Sequence, residues 1–149
     1  MTMTAQMVDD VVRAKADEHL IVVPASASVA EAVALMVERE VGAVIAMTED
    51  NLTGGIFTER DLLTRVVHAG LDPGTTPVSL VMTREVRFVS PGTTIEAALA
   101  LMHVNHHRHL LVVDGPRVVG LVSMRDLAYH LIRHGEGRFE AALRTAALG

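Results

Sequence analysis

The stretches GIFTERDLL (residues 55–63) and GLVSMRDLA (residues 120–128) are one phrase written twice, 65 residues apart. Each starts on Gly, passes two apolar residues to a hydroxyl residue, and after two more positions, the second an Arg, closes on Asp-Leu. Read locally, the phrase is a strand running into a helix. Thr58-x-x-Asp61 and Ser123-x-x-Asp126 are helix-start signals: the hydroxyl accepts a backbone N–H, and the acid favours the positive end of the helix. The same atoms also suit a ligand. A strand ending at a helix N-terminus leaves N–H groups facing outward, which suits a phosphate. A hydroxyl can bond a phosphate oxygen, and an ionised Asp, an acceptor only, can take both hydroxyls of a ribose. Gly55 and Gly120 let the backbone lie close to a neighbour or ligand. Arg60 and Arg125 either offer charge to a polyphosphate or sit solvated on the surface.

The repetition extends far beyond the phrase. Residues 20–68 overlay residues 86–132: Met36 falls on Met102, and VAEAV (29–33) falls on IEAAL (95–99). Each copy reads as strand, helix, strand, strand, helix. LIVV (20–23) and VRFV (86–89) are short strands, each followed by a break containing Pro. Ser28 with Glu31 has the capping-box pattern; in the second copy Thr94 aligns with Ser28, but the box pattern is Thr93 with Glu96. GAVIAM and HLLVVD read as buried strands, GGIFT and VVGLVS as third strands. ERDLLTRVVHAG and MRDLAYHLIRHG read as closing helices that reach Gly at a helix stop. LDPGTTP (71–77) separates the copies; VSLVMT (78–83) is a short helix whose counterpart is MVDDVVRAK (7–15). These readings predict a mixed α/β (α+β) fold of tandem βαββα units, residues 1–75 and 76–149, packed about a pseudo-twofold axis as one module. The tail EGRFEAALRTAALG is expected to form an amphipathic helix, with Phe139, Leu143 and Ala147 on one side, giving extra packing or a dimer contact.

Composition narrows the function classes. The chain has 149 residues, half of them hydrophobic, and no Cys, which excludes disulfide and thiolate chemistry. No apolar run approaches the roughly 18 residues of a membrane span, and MTMTAQMVDDVV lacks the pattern of a secretory signal. A cytoplasmic protein is expected. A net charge of −5 and 3% aromatic residues argue against nucleic acid or an anionic membrane as partner. High apolar content with few charges points to self-association.

The ordered set, GIFT-ERDLL and GLVS-MRDLA, each preceded by AVIAM or LLVVD, in a chain of two βαββα units, resembles the cystathionine-beta-synthase (CBS) domain pair, or Bateman module, over about residues 7–134. EAVALMVEREVGAV and LDPGTTPVSLVMTREV are similar to the stand-alone bacterial members. The resemblance implies a regulatory, non-enzymatic module that binds AMP, ADP, ATP or S-adenosylmethionine in clefts between the two units, with no cofactor required. It implies Asp61 and Asp126 as ribose ligands and Thr58 and Ser123 as phosphate ligands, with Arg60 and Arg125 nearby. Adenine would lie near Val22, Val23 and Ala43 in one copy and Val89, Ser90 and Leu110 in the other. Arg108 and His109 are candidate cleft-lining residues. Glu59 puts negative charge where the second copy has Met124, so the second site is expected to bind nucleotide more tightly. A homodimer and an unidentified regulated protein are the implied macromolecular partners. The alternative is an interaction scaffold with no physiological nucleotide.

HVNHHRH (103–109) contains His103, His106, His107 and His109. Spacings of three and four suit a helical zinc site, but the stretch leaves a helix for a strand and so need not converge. No metal is expected. His68, His130 and His134 fall in last helical turns, where a cation suits the dipole. No nucleophile–base pair or P-loop stands out.

Overall fold

The chain's computed structural model describes residues 6–15, 20–49, 53–134 and 144. Its elements run α1 (Val8–Lys15), β1 (Val22–Pro24), α2 (Val29–Arg39), β2 (Ala43–Met47), β3 (Gly55–Thr58), α3 (Glu59–Asp61, continuing as a π-helical stretch over Leu62–Val67), α4 (Val78–Val81), β4 (Phe88–Val89), α5 (Ile95–Asn105), β5 (His109–Asp114), β6 (Arg117–Ser123) and α6 (Met124–His134). This is the expected mixed α/β fold, with the βαββα pattern present twice. The expected tail helix, with Phe139, Leu143 and Ala147, lies outside the described residues.

Each repeat builds a three-stranded sheet, in the orders β1-β2-β3 and β4-β5-β6. The first pair in each sheet is parallel and the second antiparallel. A parallel pair needs a crossover, which α2 and α5 supply, whereas an antiparallel pair can close through a tight turn, as Gly115 and Pro116 do between β5 and β6. Both crossover helices start on a hydroxyl cap: Ser28 Oγ accepts from Glu31 N at 3.1 Å, and Thr94 Oγ1 from Ala97 N at 3.2 Å. Thr94 is therefore the cap of α5, and Thr93 Oγ1 instead accepts from Ser90 N at 3.2 Å. Both helices also end alike, on a left-handed residue that is not glycine: Glu40 (φ 55°) and His106 (φ 56°).

The packing divides the chain differently from the repeat. One compact unit is residues 20–86; the other joins residues 1–19 to residues 87–149. The boundary expected after residue 75 leaves α4 with the second copy, but Val78, Val81 and Met82 lie in the core with Val29, Phe57 and Val66 of the first. Likewise Val8, Val11 and Val12 of α1 lie in the core formed by Ile95, Leu99, Met102, Leu127 and Leu131. The reason is exposed apolar surface. The helices of each βαββα repeat leave part of the sheet and the closing helix uncovered, and a short helix with apolar residues at i, i+3 and i+4 covers it.

The closing helices differ. The helix expected over 59–70 has α geometry only at Glu59–Asp61 and then widens to i→i+5 bonding, with His68 N to Leu63 O at 2.9 Å. In contrast, α6 keeps α geometry from Met124 to His134.

A left-handed residue with a Cβ carries a penalty of about 1–2 kcal/mol, and glycine's added freedom when unfolded offsets part of the gain from removing it. Glu40→Gly and His106→Gly are each expected to raise stability by about 0.5–1 kcal/mol in urea denaturation, with an unchanged m-value.

Candidate functional site

The two strand-to-helix junctions are built alike. Thr58 lies opposite Ala43 in the β2/β3 register, and Ser123 opposite His109 in β5/β6. At the first junction Thr58 Oγ1 accepts from Asp61 N at 3.1 Å, and Asp61 Oδ2 accepts from Thr58 N at 3.0 Å. At the second, Ser123 Oγ accepts from Asp126 N at 3.0 Å, and Asp126 Oδ2 from Ser123 N at 2.8 Å. Each is a complete reciprocal cap in which Asp takes the place of the usual Glu. The start of the second strand closes the junction: Glu59 N donates to Gly42 O at 3.0 Å and Met124 N to Arg108 O at 2.8 Å. The N–H groups of the first and third helical residues are thus already bonded. This corrects the expectation of a set of N–H groups facing outward.

Each motif carboxylate takes a further donor from outside the repeat: Asp61 from the segment that follows α4, and Asp126 from α1. Asp61 is 5% exposed and accepts from Thr83 Oγ1 at 3.0 and 3.2 Å, with Arg65 Nε 3.7 Å away. Asp126 accepts from Lys15 Nζ at 2.8 Å, and the same ammonium donates to Leu121 O at 3.0 Å. The side chains of Lys15 and Asp126 keep 18% and 26% of their exposure. Sequence reasoning missed both donors. Laying α1 on α4, with Val8 on Val78, puts Arg13 on Thr83, so only the packing reveals that Lys15 fills the position. The close neighbour of Gly55 is Thr83: a Cβ on Gly55 would stand 2.5 Å from Thr83 O, where Ile56 and Thr83 exchange both backbone hydrogen bonds at 2.9 and 2.8 Å.

Charge differs at the two junctions. The Glu59 carboxylate lies over Gly42, 3.3 Å from where a Cβ would stand. At the matching places the second unit has Met124 and the exposed cation Arg108. Arg60 and Arg125 are both exposed, beside Asp61 and Asp126 in sequence. Among the residues expected to meet adenine, Val23, Val89 and Leu110 belong to the hydrophobic cores, whereas Val22 is half-buried and Ser90 exposed. Ala43 is buried opposite Thr58. Leu110 is wholly buried and points to the opposite face of β5 from His109, because side chains alternate along a strand. His109, not Leu110, stands where Ala43 does.

The histidine stretch spreads out. His103 lies within α5, His106 is its left-handed cap, and His109 begins β5. Among the described residues no three His, Asp or Glu gather for a metal, and His103 Nδ1 is buried with no hydrogen-bond partner.

The family model of the CBS domain matches residues 8–68 and 78–133. The plant protein CBSCBSPB1 of Arabidopsis thaliana is 34% identical over 125 residues, 84% of this chain. The chain spans only 23% of that relative's length. A solved protein with CBS domains from Burkholderia ambifaria superposes with a TM-score of 0.81 at 34% identity, covering 87% of this chain and 96% of its own. A solved Hypoxic Response Protein I with two coordinated zinc ions superposes with a TM-score of 0.67 at 25% identity, covering 85% of this chain and 99% of its own.

Removing the outside donor leaves a carboxylate short of a partner. Thr83→Val is expected to destabilise the protein by about 1–3 kcal/mol, since Asp61 is buried. Lys15→Met is expected to lose about 1–2 kcal/mol, less than a fully buried pair, because solvent reaches both groups. Urea denaturation measures both; an unchanged midpoint in either variant would mean that water replaces the donor.

Proposed function

The chain belongs to the CBS domain family, carrying the domain twice as a pair of the regulatory, ligand-binding class, and we propose that it senses adenosine-containing nucleotides through its two strand-to-helix junctions. The observation that carries this reading is the twin junction itself. A hydroxyl and a carboxylate stand three residues apart at the head of a helix in both units, with an exposed arginine between them. In this reading Asp61 and Asp126 take ribose hydroxyls, Thr58 and Ser123 take phosphate oxygens, and Arg60 and Arg125 add charge. The half-buried Val22, the Ala43 position and exposed Ser90 border the base, with His109 and Arg108 beside the second junction. No cofactor and no catalytic step enter the proposal. CBS domain pairs are typically non-catalytic, and output passes to a regulated protein in the cytoplasm.

The two junctions are unequal. A ligand at the first must displace Thr83 from a buried Asp61 and approach the Glu59 carboxylate. A ligand at the second meets a more exposed Asp126, with Lys15 and Arg108 as nearby cations. Anionic nucleotides therefore favour the Ser123–Asp126 junction. The same proposal includes a homodimer. Leu63 and Val67 on the π-helical stretch, and Tyr129 and Ile132 on α6, are exposed apolar residues on matching helices, suited to a second copy.

Thermal-shift measurements with AMP, ADP, ATP and S-adenosylmethionine test the reading. A bound nucleotide at 100 times its Kd is expected to stabilise the fold by about 2.7 kcal/mol. Calorimetric titration should then show a larger loss of affinity for Asp126→Ala than for Asp61→Ala. Glu59→Gln should tighten the first junction by roughly threefold to tenfold, the effect of about 1 kcal/mol of relieved repulsion. Equal losses in the two Asp variants would remove the ranking. A melting temperature unmoved by every nucleotide would favour the interaction scaffold.

A further inference from the structure

Helix α6 ends in HLIRH (130–134), which sets His130 and His134 one turn apart on one face. Their ring centroids are 4.6 Å apart, with the ring planes inclined at 45°. The pair stands against the start of α1, where His130 Nε2 lies 3.0 Å from Gln6 Oε1. An amide oxygen only accepts, so this bond puts the imidazole proton on Nε2 and leaves the lone pair on Nδ1. Burial lowers the pKa of His130 below its ordinary value, His134 lowers it further, and Asp10 opposes the shift. Asp10 is itself held in place: its Oδ2 accepts from Met7 N at 2.9 Å.

The fold does not require this arrangement. Arg65 stands at the matching position of the first copy and donates to Met82 O at 3.0 Å, while Ala69 stands in place of His134. The charge nearest in sequence, Arg133, lies over the Tyr129 ring, 5.7 Å from its centroid. The helix dipole accounts for one cation at this end of α6, but not for two rings in contact, which would repel each other if both were protonated.

We propose that His130 and His134 form a bidentate site for a divalent cation of the zinc class. Imidazoles at i and i+4 are a standard helical chelate for such borderline ions. Gln6 fixes the His130 ring through its second nitrogen, the outer-shell bond that metal-ligating histidines commonly make. Asp10 supplies negative charge near the site, and water completes the coordination. The site uses neither Ser123 nor Asp126, so it is independent of the nucleotide reading.

The test is titration of the full, untagged chain with Zn²⁺, and with Co²⁺ followed by its visible absorption. The expected result is one ion per chain. His134→Ala, an exposed position that leaves the core intact, and His130→Ala should each weaken Zn²⁺ binding at least tenfold. Gln6→Ala should have a smaller effect in the same direction, and a His103→Ala, His106→Ala, His107→Ala triple variant none. Circular dichroism of each variant separates lost binding from lost fold. Zn²⁺ affinity unchanged in both His130→Ala and His134→Ala, or lost in the triple variant alone, would overturn the proposal, as would no binding by the wild-type chain.

Discussion

A carboxylate that caps its own helix uses only part of its hydrogen-bonding capacity, and when it is screened from water it must find another donor. In both units of this chain that donor comes from a segment that the βαββα repeat does not contain: Thr83 just beyond α4 for Asp61, and Lys15 of α1 for Asp126. Much else follows from this requirement. The backbone of residues 82–83 has to lie against β3, which leaves no room for a Cβ at Gly55. Helix α1 has to return to a strand and helix more than a hundred residues further on, so the second unit is assembled from both halves of the sequence. The apolar residues of the two short helices, Val78, Val81 and Met82 in the core of one unit and Val8, Val11 and Val12 in the core of the other, hold the donors where they are needed.

Within this shared plan the copies have diverged in charge. The first keeps a neutral donor on a buried carboxylate and adds Glu59 over Gly42. The second exchanges the hydroxyl for an ammonium, Glu59 for Met124 and Gly42 for Arg108. Two replacements at aligned positions and a change of donor to the motif carboxylate all shift the potential in the positive direction, while the motif hydroxyl (Thr58 or Ser123), the Asp and the adjacent Arg stay fixed. The geometry of the junction is thus common to both copies, and its electrostatics is not.

How much of this was legible in the sequence depended on the range of the interaction. The caps at Ser28, Thr58 and Ser123 are bonds between residues three apart, and residue type with spacing identifies them. The strands follow from runs such as AVIAM and HLLVVD. Face assignment within a strand is more fragile: placing Leu110 rather than His109 beside the junction is a slip of one residue, which exchanges core for surface. The donors Thr83 and Lys15 lay beyond local reading, because the first is 22 residues from its partner and the second 111. The repeat hid the second further, since matching the apolar positions of α1 and α4 aligns Arg13, not Lys15, with Thr83. The widening of α3 into a π-helix also left no mark in the sequence pattern, because the apolar spacing of LLTRVV suits either geometry.

The double duty of the motif Asp bears on how such a module would respond to a ligand. On the proposed reading a ribose hydroxyl can use Oδ1 of Asp126, since the Lys15 ammonium and the Ser123 N–H both bond Oδ2. The Ser123 N–H stays in place as part of the cap, whereas an incoming phosphate offers the ammonium a second partner. Lys15 ends α1, and its hold on Asp126 and Leu121 O is a polar tie between that helix and the motif. Occupying the junction therefore changes what fastens α1, while Val8, Val11 and Val12 keep its apolar face buried. A ligand shifts an equilibrium only through a difference in affinity between two states. Here that difference would lie in whether Lys15 binds carboxylate or ligand. At the first junction the displaced donor is an uncharged hydroxyl with no comparable affinity for phosphate, so the two junctions would differ in response as well as in affinity.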